Sequence, residues 1–182
     1  VSVRGRGLSS LIGDTRGVAL VEFAIILPVM LLLYLGGVQL QDAMACKRKV
    51  TIMARGAADL IAQNTSGTMS SAEIGANLEA ATQVMQPYAA AGAQIRVSEI
   101  WTDSRRRTWI LWSQGRNTSK FARGTRVIVP SAMAIPGTTF LVAQVSYPYR
   151  PAIAFGTIGP MTLGDILWMV PRNTDQIDCP DC

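Results

Sequence analysis

The feature that most limits what this chain can become is a carboxylate inside a membrane-length apolar run. The run begins Gly17-Val18-Ala19-Leu20-Val21-Glu22-Phe23-Ala24-Ile25-Ile26-Leu27-Pro28 and continues to Leu40, and from Phe23 to Val38 it holds no charged residue. A helix over Val18–Leu40, rising about 1.5 Å per residue, is long enough to cross a hydrocarbon layer of about 30 Å. A carboxylate in such a helix costs about 3 kcal/mol on insertion and marks function by default. The plain alternative places Glu22 near the membrane edge, its side chain reaching headgroup water. Pro28 removes an amide donor and leaves the Ala24 carbonyl without its helical partner, which predicts a kink. Gly36 and Gly37 permit close approach of a neighbouring helix without forming the Gly-x-x-x-Gly spacing.

The 182 residues suffice for one domain plus a membrane anchor. Only 16% are charged, against about 25% in soluble domains, and the shortfall comes mainly from the N-terminal third. The net charge of +5 is unevenly spread. Arg105, Arg106, Arg107, Arg116, Lys120, Arg123 and Arg126 form a basic middle with Asp103 as its only acid, while Asp165, Asp175, Asp178 and Asp181 face Arg172 alone in an acidic tail. The absence of histidine excludes histidine metal sites and histidine acid–base chemistry. Cys46, Cys179 and Cys182 allow one internal disulfide and leave one thiol over. Charges flanking the apolar run do not orient it. Arg4, Arg6 and Arg16 stand against Asp14 before it, and Lys47, Arg48 and Lys49 against Asp42 after it. The Cys-x-x-Cys tail favours an oxidising, non-cytoplasmic location for the C-terminal part.

The stretch from Arg16 to Pro28 resembles the N-terminal signature of the TadE-like pseudopilins, pilin-like subunits of bacterial tight-adherence (Flp-type) pilus systems. Family members carry a short basic leader ending in glycine, then a mature chain whose fifth residue is glutamate, followed by phenylalanine and a long apolar helix. The resemblance covers Thr15 to Leu40, with a weaker echo in Val170-Pro171-Arg172. It implies Gly17 as the last leader residue, Val18 as the mature N-terminus, and Glu22 and Phe23 as the residues of subunit registration. It further implies cleavage by a prepilin peptidase and residence in the inner membrane with the C-terminal domain outside. The implied partners are other pilin or pseudopilin subunits and the pilus assembly machinery. Glu22 would pair with the Val18 amine of a neighbouring subunit, a contact that is strong in low dielectric only when both charges are well placed.

Two readings from other classes compete. Arg4, Arg6 and Arg16 also suit the n-region of a secretory signal, with Phe23–Val38 as its apolar core and Ala43-Met44-Ala45 before Cys46 as a cleavage or lipidation site. That reading gives an exported soluble or lipid-anchored binding domain. It places Glu22 badly, and Ala43 stands where lipoprotein signals carry leucine. The spacing Cys179-Pro180-Asp181-Cys182 suits a membrane-tethered thiol–disulfide oxidoreductase. Such motifs open a helix in a thioredoxin-like domain, and no βαβ pattern surrounds this one. A structural disulfide, either Cys179–Cys182 or one of these with Cys46, is the preferred reading, and three scattered cysteines make a poor zinc site. No nucleophile–base pair, paired-carboxylate site or phosphate-binding glycine loop stands out, so the chain is read as non-enzymatic, without cofactor or metal.

Beyond the membrane run, Ala43, Cys46, Val50, Met53, Ala57 and Leu60 recur at helical spacing, so one helix is predicted from Val18 to Gln63. Asn64-Thr65-Ser66-Gly67 ends it. Ser70 and Glu73 form a capping box for a second helix bearing Ile74, Leu78, Ala81 and Met85, which stops before Pro87. Strands are predicted at Ile95–Trp101, Thr108–Trp112, Arg126–Val129, Thr139–Tyr147 and Ile166–Val170, the first two joined as a hairpin through Asp103-Ser104-Arg105-Arg106. Pro148, Pro151 and Pro160 read as loop. The division is a basic leader at 1–17, a transmembrane helix at 18–40, its extramembrane continuation at 41–64, and a periplasmic or extracellular α+β domain at 65–182. Trp101, Trp109 and Trp112 near the basic hairpin suit nucleic-acid or polysaccharide binding, but a solvated turn beside an apolar hairpin face is preferred, and no nucleic acid is expected. A pilus subunit adds a third option, in which this hairpin meets the acidic tail of the next subunit. Asn64-Thr65-Ser66 and Asn117-Thr118-Ser119 match sequons but read more simply as turn chemistry.

Overall fold

The computed structural model describes residues 17–151 and 159–182. Residues 1–16 of the predicted leader and part of the proline-flanked segment lie outside the described residues. The architecture is α+β. A single helix, α1 (Val18–Ala62), runs through Pro28 without ending. A second, α2 (Ser71–Ala81), leads through a 3-10 turn at Thr82–Met85. Five strands come next among the described residues: β1 (Gln94–Thr102), β2 (Thr108–Arg116), β3 (Arg126–Val127), β4 (Thr139–Tyr149) and β5 (Met161–Met169). They form one antiparallel sheet in the order β3-β2-β1-β4-β5.

The apolar stripe of α1 turns into core. Cys46, Val50, Met53 and Ala57 have no exposed surface, and they pack against β4 and β5. The stripe continues through Ile61 and Ala62 rather than Leu60, which is exposed, because 3.6 residues per turn carry the buried face forward. Arg172 and Asn173 close the helix: the Arg172 amide donates to the Ala62 carbonyl at 3.0 Å and the Asn173 side chain to that of Gln63 at 2.9 Å. These bonds satisfy carbonyls that a helix C-terminus leaves free. The Ser70 capping box is present in both directions, with the Glu73 carboxylate accepting the Ser70 amide at 2.8 Å. Ile74, Leu78, Ala81 and Met85 are buried as a single face.

The strands depart from the predicted bounds where pairing overrides composition. β3 is shorter than Arg126–Val129, because only Arg126 and Val127 find partners on β2. β4 takes in Pro148, read as loop from sequence. β1 stops pairing at Gln94↔Ser146, so Pro148 lies on an open edge of β4 where no amide is needed. β2 extends to Arg116 and carries a bulge: Glu99 faces Trp112 and Ile100 faces Ile110, leaving Leu111 as the extra residue. The bulge puts Ile110 and Trp112 on opposite faces of the sheet. Trp112 joins the main core under the helices, and Ile110 joins Ile100 and Val142 in a second cluster on the other face, covered by Phe121, Val127, Val129 and Trp168.

Candidate functional site

The candidate site is α1 itself, in two parts. The first is the apolar stretch after Gly17. Every residue from Val18 to Tyr34 is exposed, Phe23 at 61%. The most apolar window of α1 has a mean hydropathy of 2.6 and none of it is buried, so this part of α1 is not core of its own domain. Among the described residues it is the one helix long and apolar enough to cross a membrane. Gly17 precedes the first helical residue, Val18, and Glu22 lies one turn further on the same face. In a helix the Cα–Cβ bonds tilt toward the N-terminus, so Glu22 leaves the backbone on the side of the Val18 turn. Glu22 makes no hydrogen bond or ion pair among the described residues. The structure thus gathers Gly17, Val18, Glu22 and Phe23 at one bare helix end.

The second part is the junction between helix and domain. Asp42 accepts the Tyr88 hydroxyl at 2.7 Å and the Tyr149 hydroxyl at 2.6 Å. Burial, then the hydrogen bond to Asp42 and its charge, hold both phenols well above their ordinary range, so they stay protonated donors. Lys47 donates to the Gly164 carbonyl and pairs with Asp165 at 3.7 Å, and Thr51 donates to Asp165. Lys49 reaches the Val84 carbonyl at 3.0 Å. Sequence reasoning missed this junction. Its signal was an acid, Asp42, adjoining the first residue of the apolar stripe.

The cysteines divide into a bonded pair and a single thiol. Cys179 and Cys182 are joined, with Cα atoms 5.5 Å apart. Cys46 is free and fully buried, so the structure contains no bridge between the tail and the long helix. Burial and then the Asp42 charge, offset in part by Lys49, push its thiol up to about 11, which leaves it unreactive. The segment Ala43-Met44-Ala45-Cys46, weighed above as a cleavage site, is the middle of α1. Cys179, Asp181 and Cys182 bring three donor atoms within 4.8 Å. The two sulfurs are bonded to each other, and Asp181 accepts the amide and hydroxyl of Ser71 at 2.9 and 2.8 Å, so this set does not fit a metal.

The basic hairpin is partly self-satisfied. Asp103 accepts the amides of Arg105 and Arg107 at 2.8 Å each and the Arg107 guanidinium at 2.7 Å. Burial opposes ionisation, but these bonds prevail and hold its carboxyl down at about 2. The Arg107 guanidinium lies 5.5 Å from the Trp109 ring centroid. Trp112 is remote from this turn. Its indole donates to Glu99 at 2.8 Å and to the Ile177 carbonyl at 2.6 Å, while the Ile177 amide donates to Glu99 at 3.0 Å. The acidic tail is likewise structural, pairing Thr68 with Asp178 and capping α2 through Asp181. Both sequons serve turns: Asn64 accepts the Gly67 amide at 2.8 Å, and Asn117 donates to the Ala91 carbonyl at 2.8 Å.

The family model described as TadE-like protein matches residues 17–59. The match begins at Gly17, spans the bare and docked parts of α1, and ends short of the helix terminus; the echo at Val170-Pro171-Arg172 lies outside it. It supports a Tad pilus-associated protein. No curated protein and no solved structure matches the chain.

Proposed function

We propose that this TadE-like chain is a pseudopilin: a single-pass inner-membrane subunit with its domain in the periplasm, serving assembly of a tight-adherence, Flp-type pilus. One observation carries the reading: Glu22, a carboxylate without a partner among the described residues, lies one turn after Val18 on a stretch of α1 that is exposed from Val18 to Tyr34. A prepilin peptidase cutting between Gly17 and Val18 creates a charged amine at Val18. A neighbouring helix displaced axially by one turn, roughly 5.4 Å, brings that amine opposite Glu22. Within the bilayer each charge is costly alone, and the pair offsets that cost only when geometry is good, so pairing sets register as well as affinity. The Cys179–Cys182 pairing supports the periplasmic side, where disulfides persist. The continuity of α1 through Cys46 disfavours a lipid-anchored domain released there.

The test has two parts. Mass spectrometry of the mature protein yields an N-terminus at Val18; an N-terminus at Cys46 overturns the reading. Glu22→Ala leaves membrane insertion intact and impairs pilus assembly. Normal assembly by that variant returns Glu22 to a membrane-edge position without a role in registration.

A further inference from the structure

The helix fixes the height of the domain above the bilayer. Val18–Leu40, taken as the span, measures about 34 Å, against about 30 Å of hydrocarbon. α1 passes through Leu40 without a break, and Gln39, at 3% exposure, already belongs to the packed domain. No linker separates the two. Asp42 holds Tyr88 and Tyr149 against this part of the helix, so the facing rim of the domain has a fixed position.

That rim is the end of β4 and the start of β5, where Tyr149 pairs with Met161. β5 runs beside α1 away from the membrane: Leu163 shares a cleft with Ala43 and Met44, and Asp165 receives Thr51. Met161 is two strand residues nearer the bilayer than Leu163, roughly 7 Å. Leu40 is about one helical turn nearer than Met44, roughly 6 Å. Met161 and its neighbours are therefore level with the end of the apolar span. There Pro148, Tyr149, Arg150, Pro160, Met161 and Thr162 line an open cleft of about 240 Å³. Arg150 is exposed and has no hydrogen-bond or ion-pair partner among the described residues, and Met161 is 41% exposed. Asp42, the carboxylate at this end of α1, is engaged by the two tyrosines.

We propose that this rim is a lipid-docking surface, in which Arg150 binds the phosphate of an anionic headgroup while Pro160 and Met161 lie in the interfacial layer. A guanidinium suits a phosphate through paired N–H donors, and its height puts it among phosphates rather than in bulk water. Docking holds the domain on the membrane until the subunit leaves the bilayer. The proposal rests on the membrane-spanning reading of α1.

The test uses the full chain in vesicles of phosphatidylcholine with or without phosphatidylglycerol, carrying a fluorophore on Pro160→Cys or, as a control, on Ser104→Cys at the β1–β2 turn. Cys46 is buried and the other two cysteines are bonded, so labelling is selective. A headgroup-level nitroxide lipid quenches the label at position 160 and spares that at 104. Adding phosphatidylglycerol increases quenching at 160, and Arg150→Glu cancels the increase, weakening apparent headgroup affinity by about fivefold. Flotation with the vesicles but equal quenching at both positions, or the same lipid response in Arg150→Glu, overturns the docking surface alone. Failure to float with the vesicles overturns the spanning reading and the docking surface together.

Discussion

From Val18 to Tyr34 every residue of α1 is exposed, whereas from Gln39 to Ala62 residues at each turn are buried against the domain. One continuous helix thus obeys two different rules. In its first half the apolar residues surround the helix, so no single face identifies a partner, and lipid or other helices must cover it. In its second half they form a stripe, which selects one face and one sheet. The carboxylates divide in the same way. Glu22 has no partner among the described residues, while Asp42 is bound by two phenols and Asp59 by Arg172. The contrast teaches that the docked half fixes the structure of the single chain, and the bare half is left for lipid or other helices to cover.

The comparison breaks most readily at methionines of the two halves. Met53→Ala opens a cavity in the main core and is expected to cost the domain about 2–5 kcal/mol. Met30→Ala, on the exposed half, is expected to leave domain unfolding unchanged. Denaturation in detergent micelles followed by tryptophan fluorescence measures both, and equal losses would end the distinction.

A somewhat smaller effect is expected at Glu99, the carboxylate most deeply enclosed by the domain. Burial raises its pKa from 4.5 to about 7, against the opposing hydrogen bonds from Ile177 and Trp112 and with a small upward push from Asp178. The folded value lies above the unfolded one, so the folded state binds more protons between them. Its contribution is full below pH 4.5, declines as pH rises, and is gone above about 7. At about 1.4 kcal/mol per unit, the decline amounts to roughly 3 kcal/mol. The difference in stability between wild type and Glu99→Gln should therefore vary with pH across this window. A pH-independent difference would show that Glu99 stays ionised in its site. The smallest effect belongs to Ser70→Ala, which removes one side of the capping box and costs about 1 kcal/mol in the same assay.

Much of the fold was legible in the residues. The apolar run, the stripe from Ala43 to Ala57, the Ser70–Glu73 cap and the β1–β2 hairpin each depend on near neighbours in sequence, and local periodicity exposes such patterns. Glu99 was less visible, although the alternation Ile95, Val97, Glu99 puts a carboxylate on the apolar face. Its partner Ile177 lies far along the chain, and no local signal joins them. The bulge at Leu111 was invisible for a related reason: it is defined by register against β1, not by the composition of β2. Pro148 misled because its strand-breaking character matters only where a neighbour needs its amide.

The sequence by itself determined the length and apolar character of the N-terminal helix, the isolation of Glu22 within it, and the α+β character of the domain beyond it. These are properties of contiguous residues, set by side-chain hydropathy and backbone propensity. Only the tertiary structure decided that Asp42, Tyr88 and Tyr149 converge, that the tail folds back to Glu99 and α2, and that Arg150 and Met161 line one cleft. Those relations arise when a rigid helix is packed on a sheet of fixed register, because packing brings together groups that the chain alone keeps far apart.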